Sequence, residues 1–400
     1  MEKVPTPPSK TISLQILCQE PFRVFFPLGI FCGLIGVSHW VWYYTGLSET
    51  YSCNYHALLQ IQGFQISFVV GFLMTALPKF MEVPGARPWE LLLGVVLLAF
   101  GVSELYVGDW VLSEVGFLAL IVHTALFALR RFPKRRDTPP PEFVFVLFGF
   151  LHALAGGLLI LWPMEGFVKL GQRVVEQGMP LAFIMGIGSY LGPRLLGRAQ
   201  TPGTSVEQQI RLRARQSDKK KVFLYALTGL GLMLSFWVEA GFSTWLGKGM
   251  RALAVSSHLV KAVGITRTPG QRLWHLRFLW ISFWCVIGGL WLAALFPEYE
   301  IPALHVTFIG GFGLMTLTVA TRVIVAHCGF EALWERDSKA ILVFGFSFLL
   351  ALLSRVAADL FPDYYFGILY VGAGFWLTSA LTWGLVFLPK VAPWHVTQDD

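Results

Sequence analysis

Charge is what this sequence lacks most: only 14% of its 400 residues are Asp, Glu, Lys or Arg, against 55% hydrophobic and 15% aromatic, and mean hydropathy is +0.61. A soluble domain of this length cannot expose that surface, so the chain is read as an all-α, polytopic helical bundle with the lipid bilayer as its solvent. Cysteine is also scarce. Cys18, Cys32, Cys53, Cys285 and Cys328 are scattered, mostly in or beside apolar runs, which excludes a disulfide framework. Neither a phosphate-cradling glycine loop nor an H-E-x-x-H helix occurs, so ATP-driven transport and intramembrane zinc proteolysis have no support. No catalytic constellation emerges, and an enzyme is not the expectation. The net charge of +7 comes without any aromatic-basic recognition motif, which argues against nucleic acid as partner. The opening MEKVPTPPSK has prolines where a signal peptide needs an apolar run, so the first span is expected to serve as its own insertion signal.

What is present is a series of apolar runs. A span needs roughly 20 mainly apolar residues to cross ~30 Å of hydrocarbon. Twelve runs qualify, at 23–46, 56–78, 89–107, 110–129, 143–163, 175–196, 222–243, 246–265, 275–297, 303–327, 339–361 and 366–388. The eighth is the weakest, because Lys248, Arg251, His258 and Lys261 interrupt it. With twelve spans, most basic residues fall at the N-terminus and in loops after even-numbered spans, including RRFPKRR (130–136) and RLRARQSDKKK (211–221). Lys169, Arg173, Lys248 and Arg251 alone occupy the other side. This asymmetry predicts a bacterial inner-membrane protein with both termini in the cytoplasm. The polar loop 198–221 separates an N-terminal half, 1–197, from a C-terminal half, 222–400, with six spans each. No convincing repeat relates the halves beyond a faint echo of GFLMTALP (71–78) in GFGLMTLT (311–318).

Ionisable groups inside lipid are costly and therefore functional candidates. In the tenth span His305 opens the helix at the outer face and His327 closes it at the inner face. At ~1.5 Å rise per residue they are ~33 Å apart and cannot share one metal. Between them Gly311, Met315, Thr318 and Arg322 form a small and polar stripe expected to face protein. Arg322 suits a haem propionate, a substrate anion or the carbonyls of a helix end. In the second span His56, Gln60, Gly63, Ser67 and Met74 form another such seam, and His56 lies at the depth of His305, so the two are candidates for one site. Cys53, three residues before His56, reads as a buried thiol and not a ligand. On the inner face His275 opens the ninth span level with His327, which makes a second shared site geometrically open; interfacial placement beside Trp274, Arg272 and Arg277 accounts for His275 equally well. His39, His123, His152 and His258 read as packed hydrogen-bonding side chains, and His395 lies in the polar tail. The acidic residues Glu104, Glu114, Glu239, Glu298 and Asp359 fall near span ends, with no relay pattern among them.

Four segments carry a resemblance: PFRVFFPLG (21–29), HALLQIQGF (56–64), GFLMTALPKF (71–80) and HVTFIGGFGLMTLTVATRVIVAHCG (305–329). They resemble the NnrS family of bacterial inner-membrane proteins, associated with haem, copper and tolerance of nitric oxide. In the last block His305, Gly310, Gly313, Met315, Thr316, Arg322, His327 and Gly329 stand at the family's places, and His275 looks like the histidine that opens its preceding span. The resemblance implies haem, and copper as a further metal, with His305, His56 and His327 as metal ligands and His275, Arg322 and Met315 as further cofactor contacts. Two departures qualify this. The family's H-A-H-E-M in the second span is here His56 followed by Leu58 and Leu59 at the second histidine and the glutamate, and the Gly-Gly-Arg of the sixth span becomes MGIGSYLGPRLLG (185–197), with its arginine missing or shifted to Arg194. Leucines at ligand positions favour one redox centre or none over two. The reading that results is a haem-binding protein of the nitric oxide and nitrosative stress response. The alternative is a twelve-span permease for a small, possibly anionic, substrate, with the seams of spans 2 and 10 along its path. A catalytic subunit of the haem-copper oxidase or nitric oxide reductase kind ranks lowest, because those sites use an adjacent histidine pair and none is present.

Overall fold

Hydrocarbon offers no partner for a backbone N–H or C=O, so a chain of this composition must satisfy them within helices. The structure is a computed structural model that describes residues 13–197, 219–330 and 337–392; the expected loop 198–221 lies mostly outside them, as does His395. Among the described residues there is no strand, and twelve long helical segments follow one another. They are α1 (Phe22–Tyr44), α2 (Cys53–Met81), α3 (Pro88–Val107), α4 (Trp110–Arg131), α5 (Val144–Ile160), α6 (165–195), α7 (Lys219–Gly241), α8 (Thr244–Val263), α9 (Trp274–Leu295), α10 (Pro297–His327), α11 (Lys339–Leu360) and α12 (Tyr365–Phe387). Local signals set their ends. Ser52 accepts a hydrogen bond from the Tyr55 N–H at the start of α2, and Asp109 accepts one from Leu112 at the start of α4. Gly108 stops α3 at φ 87°, a left-handed turn that a Cβ would disfavour.

Ten of the twelve are long and apolar enough to cross a membrane, and α6 and α8 are not among them. The weakness of α8 is visible in its lysines and arginine. For α6, expected as a span at 175–196, the helix begins earlier, at Glu165, and takes Lys169 and Arg173 with it, in addition to the Glu176 already inside that run. Such a helix needs no lipid-compatible surface if neighbours cover it, and most of its residues from Leu170 onward are buried. Two other helices are equally interior: 78% of the apolar window of α2 and 72% of that of α10 are buried, against 28% for α7.

These three central helices are built alike. Each breaks into a π-helical segment, at Leu59–Gln65, Val174–Gly178 and Val306–Gly313. Aligned on those starts, Gly63, Gly178 and Gly310 coincide, and each presses its bare Cα onto the preceding helix: against Cys32, His152 and Cys285 respectively. Four residues further along that preceding helix stand Gly36, Gly156 and Gly289, which meet Gln60, Val175 and Thr307, again equivalent positions. The Gln60 amide donates to the Gly33 carbonyl at 3.0 Å, and the Thr307 hydroxyl to the equivalent Val286 carbonyl at 3.5 Å. Gly29 faces Phe68 as Gly149 faces Phe183, and Pro78 and Pro193 occupy the same place inside their helices. The chain is thus a threefold repeat of four helices, α1–α4, α5–α8 and α9–α12, the second of each being central. The echo of 71–78 in 311–318 falls out of this register, which aligns Gly71 with Gly186 and Thr318. The hairpins α3–α4, α7–α8 and α11–α12 complete the groups, and α12 packs on α1 to close the ring. One hydrophobic core cluster includes residues on both sides of the expected 198–221 boundary.

Where the three central helices face one another, they leave a cleft of about 90 Å³. Equivalent residues line it: Phe68, Phe183 and Met315, then Val69, Ile184 and Thr316, then Phe72, Ile187 and Val319. Its polar groups, Gln65 and Thr316, are hydrogen-bonded to each other at 2.9 Å.

Candidate functional site

At one end of the bundle, here the histidine end, His56 and His305 stand just ahead of the π segments of α2 and α10. The two imidazoles are held in the same way. Nδ1 of His56 lies 2.8 Å from the Gly36 carbonyl, and Nδ1 of His305 lies 2.8 Å from the Ile301 carbonyl. A carbonyl only accepts, so each ring carries its proton on Nδ1 and has its lone pair on Nε2, the nitrogen that could ligate a metal. His305 stands within electrostatic reach of His56, and Arg355 of α11 acts on both. A third imidazole joins them: the His39 ring is centred 5.8 Å from that of His56, and its Nδ1 donates to the same Gly36 carbonyl at 3.1 Å. His39 Nε2 is buried without a hydrogen-bond partner. Trp40, Tyr51, Tyr43 and Phe366 form an aromatic wall around this corner, and Arg355 is ion-paired with Asp359 one turn on. The sequence reading of His39 as a packed, hydrogen-bonding side chain leaves out His56, because that neighbour lies in the next helix, and Arg355 is not singled out, because nothing in its own span marks it.

At the opposite end the candidates separate. His275 is completely buried and interacts electrostatically with Arg322 and with Asp337. His327 donates from Nδ1 to the Val323 carbonyl at 2.9 Å, and its ring packs on Phe22 with centroids 5.4 Å apart. Its charged neighbours are Lys79, Glu20 and Arg23, and Arg23 also donates to its carbonyl oxygen. The two histidines of this end therefore have different surroundings, and Arg322 goes with His275. Met315, buried, lines the central cleft. Gly311 and Thr318 of the same stripe are buried against protein.

A family model described as NnrS protein matches residues 16–393, nearly the whole chain. The chain belongs to the NnrS family. No curated protein matches it. Against this family the two departures acquire a structural meaning. Leu58 and Leu59 are buried and line a small cavity of about 10 Å³ with Gln62, Ser113 and Phe117, so hydrocarbon fills the space beside them. Arg194 lies 3.8 Å over the Tyr190 ring and donates to the Tyr190 carbonyl. Among the described residues no group of three or more His, Cys, Asp and Glu side chains is arranged to hold a metal ion.

A second polar cluster, missed in the sequence, occupies the α6–α8 group. Arg251 is 2% exposed, donates to Gln177 at 2.6 Å, pairs with Glu239 and lies 3.7 Å over the Phe236 ring. Arg173 holds the other oxygen of Glu239 at 2.8 Å, and Lys248 pairs with Glu300 at 2.9 Å. The partners are far apart in sequence, which is why no spacing rule exposes them.

Proposed function

We propose that this NnrS-family protein binds one haem at the histidine end and serves the nitric oxide response of a bacterial inner membrane, with both termini in the cytoplasm. The observation that carries this reading is the shared tautomer of His56 and His305: two imidazoles on two central helices, each fixed through Nδ1 by a main-chain carbonyl and each offering Nε2. That is the second-sphere arrangement that orients a histidine toward a metal and raises its basicity. Although His39 adds a third imidazole, no three side chains among the described residues are arranged to hold a bare copper or zinc ion, whereas haem brings four nitrogens of its own. The donor set therefore favours haem over copper. Arg355 provides the cation that suits a propionate, and the tyrosine and tryptophan wall provides a dry flank. His56 and His305 would hold the iron through Nε2 and Arg355 would offset the carboxylates; a haem so held would supply one-electron exchange.

A visible spectrum of the purified protein, oxidised and dithionite-reduced, with metal analysis of the same sample, tests this. A Soret band is expected, lost or shifted in His305→Ala and in His56→Ala and unchanged in His327→Ala. A colourless, metal-free wild-type protein overturns the haem reading and leaves the permease, although the apolar cleft between α2, α6 and α10 offers an anion no charged wall.

A further inference from the structure

Three acidic side chains are buried among the described residues: Glu90, Glu114 and Glu239. Glu90 accepts from Arg131 through both oxygens, at 3.0 and 2.7 Å, and Glu239 is shared by Arg173 and Arg251. Glu114, on α4, is 1% exposed and has no arginine or lysine. Its polar contact is the Gln62 amide of the α2 π segment, which donates to one carboxyl oxygen at 2.8 Å. The other oxygen has no hydrogen-bond partner. It fits against Gly157 of α5, where an added Cβ would stand 2.7 Å from it, so the missing side chain of that glycine makes its room.

The charged and titratable groups on the helices packed around it are engaged elsewhere. On α2, His56 bonds to Gly36 and Lys79 reaches Glu20; on α4 itself, His123 bonds to the Glu90 carbonyl and Arg131 to Glu90. On α5, His152 bonds to the Phe148 carbonyl, and on α3 Glu104 and Tyr106 sit at the less buried end of their helix. An ionised carboxylate without a cation in such surroundings is far more costly than a hydrogen-bonded neutral acid.

We propose that Glu114 is a proton-binding site within the bundle, a carboxylic acid held against the Gln62 amide and the bare face of Gly157. The equivalent glutamine of the second group, Gln177, contacts Arg251 instead, so the same place in the repeat holds a charge with its counter-ion in one group and an acid with its proton in the other. The experiment is infrared spectroscopy of the full-length protein in lipid nanodiscs over a pH series in H2O and D2O. The C=O stretch of an un-ionised carboxylic acid, shifted by deuterium, is expected at mildly acidic to neutral pH, absent from Glu114→Gln and displaced in frequency in Gln62→Leu. Both variants are checked for wild-type circular dichroism; if Glu114→Gln fails to fold, the displacement in Gln62→Leu decides alone. Wild-type and variant spectra that superimpose throughout this region overturn the proposal.

Discussion

The histidine ends of α10 and α6 are equivalent places in the repeat with opposite contents. Where α10 carries His305, α6 carries Arg173 and α2 carries Leu58; where α2 carries His56, α6 carries Gly171 and α10 carries Ala303. The junction of the third group with the first thus joins two imidazoles. The corresponding positions at the other two junctions are leucine with glycine and arginine with alanine. The second group has filled its share of the interior with the Arg173–Glu239–Arg251 network, and the first with Leu58, Leu59 and the Glu114–Gln62 pair. A repeat that folds three times over is free to specialise each copy, and here one junction in three carries a pair of imidazoles. The difference lies between side chains that complete one another and side chains that still have a lone pair to offer.

If that contrast holds, breaking the closed network is far more damaging than breaking the open one. Arg251→Ala leaves Glu239 with Arg173 alone in a buried setting and is expected to cost about 3–5 kcal/mol, the usual penalty for removing one partner of a buried ion pair. His305→Ala, which severs one hydrogen bond to a main-chain carbonyl, is expected to cost about 1 kcal/mol in haem-free protein. Thermal unfolding in detergent compares them directly, and equal losses would erase the distinction between the two sites.

The next largest effect concerns the packing common to all three groups. Adding a methyl at Gly178 would drive it into the His152 ring, while at Gly310 and Gly63 it would meet Cys285 at 2.8 Å and Cys32 at 2.9 Å. Overpacking of this kind costs typically about 1–3 kcal/mol. Gly178→Ala is expected to be the worst of the three, because a histidine ring held at Nδ1 yields less readily than a thiol. Melting temperatures in the order Gly63→Ala, Gly310→Ala, Gly178→Ala, highest first, would support the repeat as a packing rule; destabilisation by one of them only would undo it.

How much of this was legible beforehand follows from the range of each signal. Hydrophobic length and charge asymmetry act over one span, and they placed ten of the helices and warned of α8, whose lysine and arginine prove to be buried beside Glu300 and Glu239. They misjudged α6, because an interior helix is exempt from the apolar rule. The threefold repeat is hidden in the sequence: its register is marked by a few glycines, Gly36, Gly156 and Gly289 among them, spaced by unequal loops, and the echo at 311–318 lies out of that register. The depth argument for His56 and His305 agrees with their shared neighbour Arg355. The same argument at the opposite end left a shared site open to His275 and His327, whose charged neighbours differ because depth fixes a level in the membrane but not a side of the helix.

A smaller effect is expected from restoring a histidine. Leu58→His places an imidazole at the counterpart of His305, but its partner position in the next group is Gly171, which has no donor and no room: a Cβ there would lie 2.5 Å from the Gly156 carbonyl. The substitution should therefore leave the haem-to-protein ratio unchanged, at a loss of about 1–3 kcal/mol for a buried polar group without a partner. A second equivalent of haem in this variant would show that one histidine per junction suffices.

The mildest test leaves stability untouched and asks which way the histidine end faces. Cys53, expected to be a buried thiol, is instead exposed at that end, just before His56, while Cys18, Cys32 and Cys328 are buried. Cys18 belongs to a short helix ahead of α1, and burial, with the Glu90 charge as the lesser cause, pushes its thiol up from the usual range. A thiol whose pKa is raised in the folded protein carries less thiolate at neutral pH and reacts more slowly, so Cys18 remains silent unless the pH rises or the chain unfolds. A membrane-impermeant maleimide applied to intact cells is expected to label wild-type protein and not Cys53→Ser, because positive-inside asymmetry predicts this end on the far side from the cytoplasm. Labelling of Cys53 only after the membrane is breached would turn the bundle over. The proposed haem would then lie at the cytoplasmic face, and its electrons would have to be exchanged there.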